Sequence, residues 1–163
     1  MSSEKHRRLR LIVEYDGTNF GGWQRQPNAP TIQAALEDAL AKMTGVSTAV
    51  RGAGRTDAGV HALGQVAHFD TAAHIPLIGF LRGMNQLLPR QIAVVSIDEV
   101  DDAFDARFSA SGKLYRYAIW NREARSPRLD RFAWHTPRAL DVEAMRAGAA
   151  VLVGRHDFAA FRA

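Results

Sequence analysis

The chain has 163 residues, 47% of them apolar, which suits one domain with a buried core or a small domain plus part of another. It contains no cysteine, which excludes disulfide frameworks, thiolate metal sites and cysteine nucleophiles and favours a reducing cytoplasm. With a net charge of +4 and no apolar run of signal-peptide or membrane-spanning length, we expect a cytoplasmic protein with no membrane partner.

The positive charge is concentrated in the last third of the chain. Residues 1–104 carry 10 Lys/Arg and 11 Asp/Glu, whereas residues 105–163 carry 11 and 6. Nearly all of the basic residues are arginines, which suit bidentate phosphate contacts and stacking on bases. A nucleic-acid partner and a solvated arginine-rich surface are both consistent with this composition.

The apolar patterns of the first hundred residues alternate between strand and helix. In chain order they predict a strand over 9–15, a helix from an N-cap at Thr31 to Gly45, strands over 46–56 and 64–71, a helix from Pro76 to Pro89, and a buried strand over 91–100. The order strand, helix, strand, strand, helix, strand is the split βαβ pattern of a ferredoxin-like domain with an antiparallel sheet. We assign this α+β domain to residues 1–104.

Two further elements follow in residues 105–163. "SGKLYRYAIWNRE" predicts a strand with Tyr115 and Tyr117 on one face, and Tyr117 is expected in the core. "LDVEAMRAGAAVLVG" predicts a helix that ends near Gly154 and has an inward stripe of Val142, Met145, Ala149 and Leu152. Two elements do not close a sheet, so we expect the incomplete first part of a second α+β domain.

The segment "GRTDAGVHA", residues 54–62, contains the main candidate for chemistry. A phosphate-binding loop is excluded because no Lys followed by Ser or Thr comes after the glycines. Asp57 and Gly59 are typical of a turn between strands, in which the Asp side chain bonds nearby amides. Arg55, two residues earlier, would keep a catalytic carboxylate ionised. The local pattern leaves the turn and the catalytic interpretation open.

A metal site is a further alternative near this segment. His61, His68 and His74 lie close together, and His68 and Asp70 would share one strand face. A third ligand at motif spacing is missing. A metal-dependent hydrolase using His61, His68 and Asp70 is therefore the weaker hypothesis, and we expect no metal.

Several segments together resemble the tRNA pseudouridine synthase A (TruA) family. They are, in family order, "YDGTNFGGWQRQ", "TIQAALEDAL", "GRTDAGVHA", "MNQLLP", "FDARFSASGKLYRYAIWN" and "GRHDFAAFRA". The resemblance implies a cofactor-free isomerase that converts uridine to pseudouridine in the anticodon stem-loop of tRNA, at tRNA positions 38 to 40. It also implies a homodimer, and a second domain longer than the stretch present here, so that this fragment alone is expected to be inactive.

The resemblance also implies roles for particular residues. Asp57 would be the essential carboxylate, Arg55 would pair with it and help fill the place of the displaced base, and Tyr115 would lie against the target base. Arginines would grip the RNA backbone, and a cluster of them is interleaved with aromatics. The RNA-contact candidates are Arg25 in the loop after the first strand and, within a basic cluster that also includes Arg107, Arg116 and Arg131, the residues Arg122, Arg125 and Arg128.

A non-catalytic RNA-binding module of ferredoxin-like fold is the alternative function. Such modules stack bases on aromatics of a characteristic strand motif. "GQVAHFDT", the strand after the Asp57 segment, does not contain that motif.

Overall fold

The computed structural model describes residues 6–161. The remaining seven residues, which include parts of the basic N-terminus and of "GRHDFAAFRA", lie outside the described residues. The chain divides into two compact units, Met1–Leu114 and Tyr115–Ala163. This division falls later than the boundary expected after Phe104, since the Ala106 amide donates a hydrogen bond to His68 of the first unit.

The first unit is the ferredoxin-like domain that the sequence predicts. Its elements are β1 (Arg7–Tyr15), α1 (Ile32–Thr44), β2 (Arg51–Gly52), β3 (Ala62–Thr71), α2 (Leu77–Leu87) and β4 (Ile92–Val100). The strands form one antiparallel sheet in the order β2-β3-β1-β4. The α+β class and the split βαβ order are confirmed, although β2 is a two-residue edge strand and much shorter than expected.

Local signals explain where the helices begin and end. The Thr31 hydroxyl accepts the amide of Ala34 at the start of α1, and Gly45 ends the helix in the left-handed region at φ 74°. Pro76 precedes α2, where its fixed φ suits a helix start.

The core lies between the two helices and one face of the sheet. Leu9, Leu11 and Val13 of β1 are fully buried on that face. The rings of Phe69 in β3 and Phe80 in α2 meet edge-on with their centroids 5.7 Å apart. Burial of such side chains stabilises the domain by roughly 1.5–3 kcal/mol each.

The other sheet face is polar, and ion pairs cross it. Arg8 of β1 holds Asp70 of β3 with two hydrogen bonds of 2.7 and 2.8 Å, and Arg10 holds Asp98 of β4 at 2.9 Å. The strand predicted as buried over 91–100 is present as β4, but it is buried on one face only. It is an edge strand whose exposed and buried residues largely alternate, and Val95 is exposed.

The second unit contains β5 (Ile119–Asn121), β6 (Trp134–Thr136) and α3 (Val142–Ala150). The two strands pair in parallel. The Asn121 side chain donates to the carbonyls of Thr136 and Arg138, and it accepts the amide of Leu140. The Asn121 side chain thereby fixes the segment that leads from β6 into α3.

Two expectations for the second unit are wrong. Residues 111–118 form no strand, because only Ile119–Asn121 finds a pairing partner, and Tyr117 is 90% exposed rather than in the core. The stripe of α3 is also not inward. Val142, Met145 and Leu152 are all about half exposed, since no described element covers that face.

None of the helices within residues 6–161 is both long enough and apolar enough to cross a membrane.

Candidate active site

Asp57 lies in the loop that joins β2 to β3, and this loop turns through its backbone. The carbonyl of Asp57 accepts the amide of Val60 at 3.2 Å, and Gly59 adopts φ 79°, which favours glycine. The turn predicted from Asp57 and Gly59 is therefore present. It does not use the Asp57 carboxylate, which makes no hydrogen bond to any residue of the described chain.

The glycine-rich segment after β1 clamps this loop from one side. The Trp23 amide donates to the Thr56 carbonyl at 2.9 Å, and the Gly59 amide donates to the Phe20 carbonyl at 3.3 Å. Gly22, at φ 95°, passes so close to the Thr56 carbonyl that a Cβ there would collide with it. The glycine is required both by the backbone conformation and by the contact.

Side-chain bonds hold the loop from the strands. The Tyr15 hydroxyl at the end of β1 lies 2.9 Å from the Thr56 hydroxyl, and the Gln65 amide donates to the Gly54 carbonyl at 2.8 Å. Burial raises the pKa of Tyr15, and its hydrogen bonds to Thr56 and Gln65 oppose the shift only partly. Tyr15 therefore stays a neutral hydroxyl at physiological pH.

A bulge in the sheet brings these strand residues to the loop. Val13 pairs with Gln65, but Tyr15 pairs with Ala62, so β3 contains one extra residue between the two pairs. The bulge lies immediately after the Asp57 loop. It sets the direction in which β3 leaves the site.

The structure places Arg55 and Asp57 on the same clamped loop but does not join them. Both residues are exposed, and no ion pair between their side chains occurs within residues 6–161. The expected pairing is therefore not formed, because each side chain faces solvent. An accessible carboxylate on a fixed backbone can act as a nucleophile or as a base toward a bound ligand.

Arg55 lines a groove of about 690 Å³ that lies wholly within the first unit. The groove contains four cations and one carboxylate. The charged residues are Arg51, Arg55, Arg107, Lys113 and Asp105, and the remaining wall comes from Trp23, Gln24, Gln33, Val50, Gly52, Ala53, Gly54 and Phe108. Trp23 is 2% exposed and packs its ring against Gly52, as expected of a structural tryptophan.

A compact turn at residues 105–109 forms one wall of the groove. The Asp105 carboxylate accepts the amides of Arg107 at 2.8 Å and Phe108 at 3.0 Å. The bond from the Phe108 amide is the main cause that holds the pKa of Asp105 below its usual range, with the bond from Arg107 adding to it. The carboxylate is therefore ionised at neutral pH.

His68 anchors this turn to the sheet. Its Nδ1 accepts a hydrogen bond from the amide of Ala106 at 3.1 Å, and its ring packs edge-on against the ring of Phe104, with the centroids 5.9 Å apart. Burial lowers the pKa of His68, an effect that the nearby Asp105 opposes. A neutral imidazole that carries its proton on Nε2 fits this position.

Arg25 is already engaged with the first helix. Its guanidinium lies 2.6 Å from a Glu37 oxygen and 2.8 Å from an Asp38 oxygen. Hydrogen bonds to Asp38 and then Glu37 raise the pKa of Arg25. A phosphate would have to compete with two carboxylates, so Arg25 has the weakest structural support of the predicted RNA contacts.

The other predicted contacts lie in the second unit. Tyr115 is 67% exposed at its start, on backbone without regular structure. Arg122, Arg125 and Arg128 are exposed in the segment between β5 and β6. The guanidinium of Arg122 stacks on the Trp120 ring at 4.6 Å, which fixes one face of that side chain.

The residues of the metal alternative have other partners. His68 is buried against Ala106, and Asp70 is paired with Arg8. Among residues 6–161, no three His, Asp or Glu side chains are grouped so that they could hold a metal ion.

Sequence reasoning missed several residues of this site. The sequence pattern predicts Tyr15 and Gln65 only as strand residues, and it does not link Arg51 or Lys113 to the loop. The groove residues come from four separate stretches of the chain, residues 23–24, 33, 50–55 and 105–113, so no local pattern joins them. The period-two pattern of β1 could have placed Tyr15 on the core face, but not beside Thr56.

The fold and the loop together define a class of protein. It is a ferredoxin-like α+β domain in which the Asp57 carboxylate, bonded to no described residue, lies on a loop that borders a cationic groove. Residues 11–109 match the family model described as tRNA pseudouridine synthase. The chain is 54% identical over 155 residues to a tRNA pseudouridine synthase A of Syntrophotalea carbinolica, covering 95% of this chain and 62% of that protein. It is 52% identical over 156 residues to the protein of that name from Myxococcus xanthus, covering 96% of this chain and 59% of the relative.

The chain belongs to the tRNA pseudouridine synthase A family, whose name denotes isomerases of uridine. A relative from Geobacter sp. strain M21 is 54% identical over 157 residues and is likewise covered to 64% of its length. The chain thus spans about three fifths of the curated relatives it matches.

Proposed function

We propose that the full-length protein isomerises uridine to pseudouridine in the anticodon stem-loop of tRNA, with Asp57 as the essential carboxylate. The observation that supports this most is the state of Asp57. Its loop is fixed by bonds to Trp23, Phe20 and Tyr15, yet its carboxylate is bonded to no residue of the described chain. A turn residue would use its carboxylate to bond the loop.

The reaction is an exchange of bonds within one nucleotide. The bond between N1 of uracil and C1′ of ribose breaks, a bond between C5 and C1′ forms, and the hydrogen on C5 passes to solvent while N1 gains a proton. The atoms balance without a co-reactant, so the proposal includes no cofactor. Asp57 would act as the nucleophile or the base that starts the exchange.

The target base has to leave its stack before a carboxylate can reach the glycosidic bond. Unstacking costs a few kcal/mol, and it costs least in loops and at stem ends. Arg55, which lines the groove and lies two residues before Asp57, would occupy the place that the base vacates. Tyr115, which is exposed, would supply an aromatic surface for the displaced base.

Binding would rely on charge as well as on the loop. The exposed Arg122, Arg125 and Arg128 would contact the tRNA backbone, and Arg25 would do so if a phosphate displaced its carboxylate partners. We further propose that the protein acts in the cytoplasm as a homodimer. The absence of cysteine supports the location, and the homodimer is what the resemblance to the family implies.

The direct test uses the full-length protein and tRNA that carries tritium at C5 of uridine. Isomerisation releases that tritium to water, so release in proportion to the uridines of the anticodon stem-loop is the expected result. Tight tRNA binding with no release would instead support the non-catalytic RNA-binding module and overturn the proposed activity.

A further inference from the structure

We propose that the groove beside the Asp57 loop binds the phosphodiester backbone of the RNA, through Arg51, Arg107 and Lys113. The identity of the RNA rests on the proposed function. The assignment of the groove rests on its shape and its charges. At about 690 Å³ the groove is large enough for a nucleotide and its phosphate.

The cations of the groove lack the partners that other arginines of this unit have. Four arginines outside it pair with carboxylates: Arg7 with Glu99, Arg8 with Asp70, Arg10 with Asp98, and Arg25 with Glu37 and Asp38. Within residues 6–161, by contrast, none of Arg51, Arg107 and Lys113 forms an ion pair or a side-chain hydrogen bond. Clustered cations that outnumber the carboxylates near them attract a polyanion.

The single carboxylate of the groove does not neutralise it. Asp105 turns one carboxylate oxygen toward the amides of Arg107 and Phe108, and its other oxygen lies 3.9 Å from His68 Nε2. Its role is to shape the turn. With Arg55 included, the groove holds four positive groups against one negative group.

The turn presents Arg107 in a fixed position before any ligand arrives. The Ser109 amide donates to the Asp105 carbonyl at 2.8 Å, and His68 holds the Ala106 amide from the sheet. Because the backbone is already ordered, binding a phosphate at Arg107 costs less conformational entropy. Phe108 on the same turn is 83% exposed, and the guanidinium of Arg107 lies over its ring, 5.7 Å from the centroid, so an unpaired base would stack on the opposite face.

Lys113 links the groove to the Asp57 loop. Its ammonium lies over Gly54, where a Cβ would come within 2.5 Å of Nζ. Gly54 immediately precedes Arg55. A phosphate held by Lys113 therefore lies next to the loop that carries Asp57, which fits the backbone of a nucleotide close to the target.

The test measures the binding of unmodified tRNA by the full-length protein as a function of salt. Arg51→Gln, Arg107→Gln and Lys113→Gln each remove one charge. Each is expected to weaken binding several-fold and to reduce the slope of log K against log salt by about 0.7–0.9, and the triple variant by about 2 to 3. Arg107→Lys and Arg51→Lys keep the charge and are expected to keep the slope.

Arg90→Gln is the matched control, because Arg90 is exposed in the same unit but does not line the groove. Thermal unfolding of each variant checks that the fold is retained. The proposal is overturned if the triple variant binds tRNA with the wild-type affinity and slope.

Two combinations of results separate this proposal from the proposed function. Tritium release by the wild-type protein, together with unchanged binding by the groove variants, would remove the groove and keep the isomerase. Loss of tRNA binding in the groove variants, together with no tritium release by the wild-type protein, would keep the groove and remove the isomerase.

Discussion

The amide of Trp23 donates a hydrogen bond to the carbonyl of Thr56 over 2.9 Å, one residue before Asp57. The Asp57 loop is thereby tied to the glycine-rich segment that follows β1. The position of Asp57 in the site depends on this contact, because the loop has no regular structure of its own between Gly54 and His61.

Gly22→Ala is expected to lower the rate of tritium release on the order of 100-fold. Its φ of 95° is strained for alanine, and its Cβ would push on the Thr56 carbonyl and displace Asp57. Gly45→Ala is the matched control, since Gly45 also has a positive φ of 74° but has nothing within 4 Å of the added Cβ. Both variants are expected to lose about 1–2 kcal/mol of stability. If they also lose tritium release to the same extent, the contact between Gly22 and Thr56 has no special role in activity.

Tyr15→Phe is expected to destabilise the protein by about 0.5–1.5 kcal/mol, because the Thr56 hydroxyl loses its 2.9 Å partner. Urea unfolding measures this change. Tyr117→Phe is the control, since Tyr117 is 90% exposed and is expected to leave stability unchanged. Equal effects from the two variants would contradict the assigned bond.

Stability is expected to depend on the protonation of His68. Burial lowers its pKa in the folded state, so the unfolded state binds the proton more tightly, and stability falls as pH drops below the unfolded value of about 6.5. His68 contributes at most about 1.4 kcal/mol per pH unit to the slope of the unfolding free energy against pH. This contribution vanishes at pH values well above about 6.5, where both states are deprotonated.

His68→Asn tests this dependence, because its side-chain oxygen can still accept the Ala106 amide but does not titrate. Urea unfolding between pH 5 and 7 is expected to show a shallower pH dependence in this variant than in the wild type. His74→Gln removes an exposed histidine and is expected to retain the wild-type dependence. Identical profiles for wild type and His68→Asn would rule out His68 as the source.

Replacing Arg122, Arg125 and Arg128 by Gln together is expected to weaken tRNA binding and to reduce its salt slope by about 2 to 3, since three cations are removed. The corresponding triple change to Lys keeps the charges and is expected to keep the slope. A wild-type slope in the Gln variant would show that these arginines are only solvated.

Much of the first unit could be predicted because its signals are local. Thr31 and Gly45 mark the ends of α1 through a side-chain cap and a left-handed residue within the helix's own sequence. The order of strands and helices then determined the ferredoxin-like sheet. The edge position of β4 could not be predicted in the same way, because "IAVVSI" fits a strand buried on one face or on two.

The second unit was harder to predict because its elements depend on partners. The pattern around Tyr115 and Tyr117 suits a strand, but a strand needs a neighbour, and only Ile119–Asn121 has one. In the same way, the stripe of α3 showed which face is apolar without showing whether anything covers it.

For the site, the sequence identified Asp57 and its loop but not the groove. Asp57 could be found because its motif is contiguous. Arg51, Arg107 and Lys113 come together through the pairing of β2 with β3 and the anchoring of the 105–109 turn on His68. Such distant contacts are set by the tertiary structure alone.

The most direct test of the account compares Asp57→Asn with the wild type in the full-length protein. Asn keeps the size of the side chain and removes the carboxylate that no described residue engages. Tritium release from C5-labelled tRNA is expected to fall below detection, while the tRNA affinity and the unfolding midpoint stay near wild-type values. Release at the wild-type rate would contradict the assignment of Asp57 as the essential carboxylate.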